Sequence, residues 1–106
     1  MLKVLVQLQP VEARVRQRSL DLAKQIARAA DSVVLNLGEG RLRCDGDKRR
    51  HYEFAAGSAS ELTAALRVAL IRGYVEPQLV DAVEPLLDRV RAMLYKLTRP
   101  TRPPRA

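Results

Sequence analysis

Residues 28–40, Arg-Ala-Ala-Asp-Ser-Val-Val-Leu-Asn-Leu-Gly-Glu-Gly, constrain the fold more than any other stretch of this chain. Ala29, Ala30, Val33, Val34 and Leu37 recur at helical spacing, yet Ser32 and Asn36 stand four apart among them. A polar side chain at a core position needs a partner, because leaving it unsatisfied costs roughly 1–3 kcal/mol. A second apolar segment with the complementary character is Gly57-Ser58-Ala59-Ser60-Glu61, which carries small residues and a carboxylate. The two segments therefore predict two close-packed helices joined by a polar seam of Ser32, Asn36, Ser58 and Glu61, with Glu39 capping or bracing the adjoining loop. Arg28 or Arg41 can pair with Glu61 or Glu39, since an unpaired buried carboxylate is costly. Packing explains such a seam, and a binding site is the alternative.

The rest of the pattern is helical throughout. Leu5, Leu8, Val11 and Val15 share one face of a first helix over 2–16, and Pro10 inside it either kinks the helix or marks its true start. Ser19 suits an N-cap, with Asp21 in the first turn complementing the helix dipole. Leu22, Ile26, Ala30, Val33 and Leu37 follow at steps of three and four. Gly38 and Gly40 favour the left-handed conformation that ends helices. The next stretch, 41–50, reads as a charged loop broken at Gly46, with Asp45 or Asp47 as a cap. A third helix carries Tyr52, Ala55, Ala59, Leu62, Leu66 and Ala69 and stops near Gly73, with Gly57 and Ser58 allowing close helix approach. Glu76-Pro77 opens a fourth, Pro taking the first helical position. Its seam reads Leu79, Val83, Leu86, Val90, Met93 and Leu97, flanked by Val80 and Leu94, and Pro85 is expected to bend it without ending it. Four helices with short links predict an all-α, antiparallel up-down bundle over 1–97. The basic, proline-containing segment 98–106 reads as a disordered tail.

That order of residues resembles a known family, the bacterial four-helix-bundle proteins of 23S rRNA intervening sequences, which includes the accessory variability protein of diversity-generating retroelements. The resemblance rests on Arg28, Ala29, Ser32, Asn36, Glu39, Gly40 and Arg41, then Gly57, Ser58, Glu61 and Leu62, with a Gly73-Tyr74 turn after them. It covers about Ser19 to Leu97. Many relatives carry Pro near Val34 and Ala at Gly38, where this chain departs. The resemblance implies a homopentamer of bundles and, for the retroelement branch, a reverse transcriptase partner with template RNA.

Charge bears on partners. A net charge of +7 favours anionic ones: nucleic acid, an acidic protein face or anionic lipid. Arg41, Arg43, Lys48, Arg49 and Arg50 concentrate that charge in the 41–50 segment, against Asp45 and Asp47. They read either as a phosphate-backbone contact surface or as an ordinary solvated loop. Arg14, Arg16 and Arg18 lie at the first helix–helix turn, which an up-down bundle places at the opposite end. No apolar run approaches the roughly 20 residues of a membrane span, and the N-terminus lacks the features of a signal peptide, so a cytoplasmic protein is expected.

Catalytic signals are absent. His51 is the only histidine, so Glu-x-x-His metal ligation has no basis, and no cofactor or metal is expected. Cys44 is the only cysteine and has no base paired with it in the pattern. The expected function is a non-enzymatic, homo-oligomeric adaptor that binds RNA or an RNA-handling protein. The alternative is a structural or protein-interaction oligomer without a nucleic-acid role.

Overall fold

The computed structural model describes residues 1–100, and the expected tail at 101–106 lies outside the described residues. Its helices are α1 (Leu2–Arg16), α2 (Leu20–Leu42), α3 (Asp45–Ile71), α4 (Pro77–Asp81) and α5 (Glu84–Thr98). The bundle is all-α, with α4 and α5 together forming its fourth arm. It measures 56 × 25 × 21 Å.

In α1 the buried positions are Val4, Leu8, Val11 and Val15, a step pattern of four, three and four. The helix runs through Pro10, whose exposed ring removes one backbone hydrogen bond without displacing the apolar face. Leu5 lies half-buried beside the core. At Ser19 the expected cap is present: its hydroxyl accepts from the Leu22 amide at 3.2 Å.

α2 does not stop at Gly38 as expected but continues to Leu42. Gly40 lies within the helix and leaves room for its neighbour, since a Cβ there would stand 2.5 Å from Tyr52 Cε1. The expected ten-residue loop at 41–50 is therefore mostly helix. Only Arg43 and Cys44 separate α2 from α3, and Gly46 lies inside α3. Asp45 supports this tight reversal by adopting φ 54°, a left-handed conformation that Asp tolerates better than most residues. Asp45 and Asp47 favour the helix dipole from the first turn, while Cys44 occupies the cap position without a side-chain bond.

In α3 the six expected core residues, Tyr52, Ala55, Ala59, Leu62, Leu66 and Ala69, are all buried. Its end is a Schellman motif around Gly73, whose φ is +70°. The Tyr74 amide bonds the Ala69 carbonyl at 2.9 Å, and the Gly73 amide bonds the Leu70 carbonyl at 3.0 Å. By length and composition α3 could span a membrane, with mean hydropathy 1.3 in one 18-residue window. Here, however, its apolar stripe forms the bundle core.

The fourth arm departs most from expectation. Pro77 opens α4 as predicted, but the helix breaks at Ala82-Val83 and does not merely bend. Pro85 has no amide hydrogen to continue the ladder and sits instead in the first turn of α5, where none is needed. The core positions are Val80, Val83, Leu87, Val90 and Leu94. Leu79 and Leu86 are half-buried flanks, and Met93 and Leu97 are 43% and 47% exposed. Val80 and Leu94, expected only to flank that seam, are instead fully covered core positions within one chain.

Cross-helix pairs show that α3 runs antiparallel to α2 and to α5. Ser32 meets Ser58 and Asn36 meets His51, the numbering falling on one helix as it rises on the other. Likewise Arg49 reaches Thr98 while Arg67 reaches Glu84.

Candidate functional site: the polar seam and two charged ends

The seam between α2 and α3 is real and smaller than expected in one respect, larger in another. Ser32 Oγ and Ser58 Oγ are 2.7 Å apart. Asn36 Nδ2 donates to the Ser32 carbonyl at 2.9 Å and to Ser32 Oγ at 3.2 Å. Its Oδ1 lies 3.1 Å from His51 Nδ1, so that nitrogen carries the proton and donates. The His51 and Phe54 rings meet edge to face, centroids 6.2 Å apart at 85°. All four seam residues are half-buried. His51 joins from the far end of the chain's basic stretch, and its spacing of seven before Ser58 places it on the same stripe of α3.

Glu61 and Glu39 lie outside this network. Glu61 is exposed on the outer side of α3, where it lines an open groove of about 630 Å³ between α2 and α3. Glu39 points away from the seam and holds Arg43 at 3.1 Å. Gly57, expected at a close helix approach, has open space around its Cα. The close approach falls at Gly40 instead.

At the α2–α3 hairpin tip the five predicted basic residues come together, but carboxylates occupy three of them. Arg43 lies between Glu39 and Asp47, Arg50 pairs with the same Asp47 at 3.1 Å, and Arg49 pairs with Glu53 at 3.0 Å. Arg49 also donates to the Thr98 carbonyl at 2.7 Å, tying the tip to the end of α5. The Arg43 guanidinium is held above its ordinary pKa chiefly by its hydrogen bond to Glu39. Arg41 and Lys48 make no ion pair among the described residues. Cys44 is exposed at the turn.

The opposite end carries the α1–α2 and α3–α4 turns. Arg14 pairs with Glu76, which draws the Glu76 carboxyl below its usual range. Arg18 lies over the Tyr74 ring, 5.6 Å from its centroid.

A family model described as 23S rRNA-intervening sequence protein matches residues 7–96, which include the seam, the hairpin tip and both long helices. The chain belongs to this family. No curated protein and no solved structure matches it. Within this member of the 23S rRNA-intervening sequence family, Ser32, Asn36 and Ser58 register the two longest helices, and Gly40 accommodates Tyr52.

Proposed function

We propose that this protein is a non-catalytic, cytoplasmic adaptor that self-associates, as a pentamer on the family resemblance, and binds RNA through phosphate contacts. The observation that carries the RNA reading is charge left over at the surface. Among the described residues six ion pairs involve five arginines and five carboxylates, equal numbers of each sign, so local pairing leaves the net +7 untouched. Exposed pairs contribute only about 0–1 kcal/mol each, so even the paired arginines of the tip can exchange a carboxylate for a phosphate. Arg41 and Lys48 are available there at once. A reverse transcriptase is the protein partner that this reading supplies where the chain serves a retroelement.

Self-association is favoured by apolar side chains the single chain does not cover. Leu42 is 84% exposed and Ile71 85% exposed, at opposite ends of the bundle. The same observation supports the second reading, a protein-interaction oligomer without RNA.

Titration of labelled single-stranded RNA at increasing salt tests the proposal. Affinity is expected to fall with a slope near −0.7 per phosphate contacted in a log–log plot. Absence of binding at low salt would leave the protein-interaction reading.

A further inference from the structure

The end of the bundle opposite the hairpin tip gathers arginines that no carboxylate holds. Arg28 of α2 and Arg72 at the end of α3 line one depression of about 470 Å³, together with Ser19, Gln25 and Tyr74. Neither arginine makes an ion pair among the described residues. Arg18, stacked on Tyr74, brings a third guanidinium to the rim. Asp21 is the one carboxylate on this lining, against Arg28 and Arg72 with Arg18 close by, and Glu61 lines the adjoining groove beside Arg28. The start of α2 is there too: Ser19 satisfies the Leu22 amide, leaving the first-turn amides of Leu20 and Asp21 without intrahelical partners. Their partial positive charge adds to that of the arginines.

We propose that this depression is a phosphate-binding site that takes a phosphodiester of single-stranded RNA, deepening the RNA-binding reading and resting on it. Forked guanidiniums suit phosphate oxygens better than point charges do, because two parallel N–H donors match two oxygens. The surrounding shape selects a strand over an isolated ion. Leu22, Gln25, Arg28 and Val68 also line the larger groove between α2 and α3, so the two hollows form one continuous trough. A nucleotide held by phosphate at Arg28 and Arg72 would have its neighbour over the apolar walls at Leu22, Ala29, Ala65 and Val68. Those walls accept sugars and base faces beside Ser32, Ser58 and Glu61 of the same groove.

The test compares wild-type protein with R28Q/R72Q and R28K/R72K, titrated with a labelled oligouridylate, with inorganic phosphate as competitor. Both arginines are exposed, so melting curves should be unchanged. R28Q/R72Q should bind oligouridylate about tenfold or more weakly, and its salt slope should be shallower by about 1.4 for two lost phosphate contacts. R28K/R72K should keep the salt slope but recover only part of the affinity, as the forks are lost. Inorganic phosphate should displace the strand only at concentrations far above that of the RNA. If wild-type protein binds and R28Q/R72Q binds equally well, the site is wrong and the RNA reading stands. If free phosphate competes at stoichiometric concentration, the ligand is a small anion and the strand assignment fails. If wild-type protein binds no RNA, the reading itself falls and this site with it.

Discussion

Gly40 of α2 lies so close to Tyr52 of α3 that a Cβ would stand 2.5 Å from one ring carbon and 2.7 Å from the next. Tyr52 is buried and cannot swing aside without opening the core beneath the hairpin tip. Gly40→Ala should therefore destabilise the protein by about 1–3 kcal/mol through overpacking. Gly38, two residues earlier in the same helix, meets nothing within 4 Å. There the same substitution should stabilise by about 0.5–1 kcal/mol, because alanine loses less backbone entropy in a helix. Urea denaturation of both variants checks the pair, and equal effects would contradict the packing account.

The seam offers a second contrast. Asn36 is the central link, donating to Ser32 and accepting from His51. Asn36→Leu leaves Ser32 its bond to Ser58 but strands His51 Nδ1 in a half-buried position, and should lower stability by about 1 kcal/mol. Glu61→Gln should change it by less than about 0.5 kcal/mol, since Glu61 is exposed and makes no hydrogen bond or ion pair among the described residues. Chemical denaturation separates the two. Equal destabilisation would return Glu61 to the network.

How far these features could be read in advance depended on which forces set them. Six positions of the α3 stripe from Tyr52 to Ala69 were legible, with Ala65 missed, because a helical period fixes which residues share a face. That Ser32 and Ser58 belong to one seam was legible, but which residue meets which was not. Gly40 was misread as a helix stop. Glycine serves both left-handed turns and close packing, and only the position of Tyr52 decides between them. The fourth arm was ambiguous for another reason. Leu79, Leu86 and Met93 form as regular a seam with Val83 and Val90 as Val80, Leu87 and Leu94 do. Neighbouring helices choose, and they bury the second set. At the charged tip the residues were legible but their pairing was not. Once α2 and α3 are continuous to the turn, Glu39 and Asp47 each fall four residues from Arg43 and hold it.

Acid titration gives a third expectation. Burial, and then the nearby charge of Asp31, raise the Glu12 carboxyl above its ordinary value, with Arg16 opposing. A raised folded pKa means that the folded chain binds the proton more tightly than the unfolded one. Glu12 then favours folding fully below its unfolded pKa, and that advantage is lost as pH rises through the folded value. Glu12→Gln removes the ionised form, so the variant should gain melting temperature relative to wild type at neutral pH. The gain should shrink towards zero as both are acidified. A difference independent of pH would show that the carboxyl is not under strain.

The last expectation concerns the outer face of α2. Leu35 and Leu42 are seven residues apart, hence on one side of the helix, and are 68% and 84% exposed. Neither contributes to the buried core, so replacing both with serine should leave helicity and the protomer's own packing intact. In an assembly the consequence is different. Two leucines a heptad apart on a helix form a short seam suited to another helix, and covering them would stabilise the contact by about 0.025 kcal/mol for each Å² of apolar surface removed from water. If this face joins copies of the chain, Leu35→Ser/Leu42→Ser should lower the mass seen by light scattering towards the 11.9 kDa of one chain. Circular dichroism should be unchanged across the same concentrations. A wild-type protein already at that mass would show that the face is not used between copies. A variant that keeps the wild-type oligomeric mass would place the contact elsewhere, with exposed Leu2 and Val6 of α1 the next pair to replace.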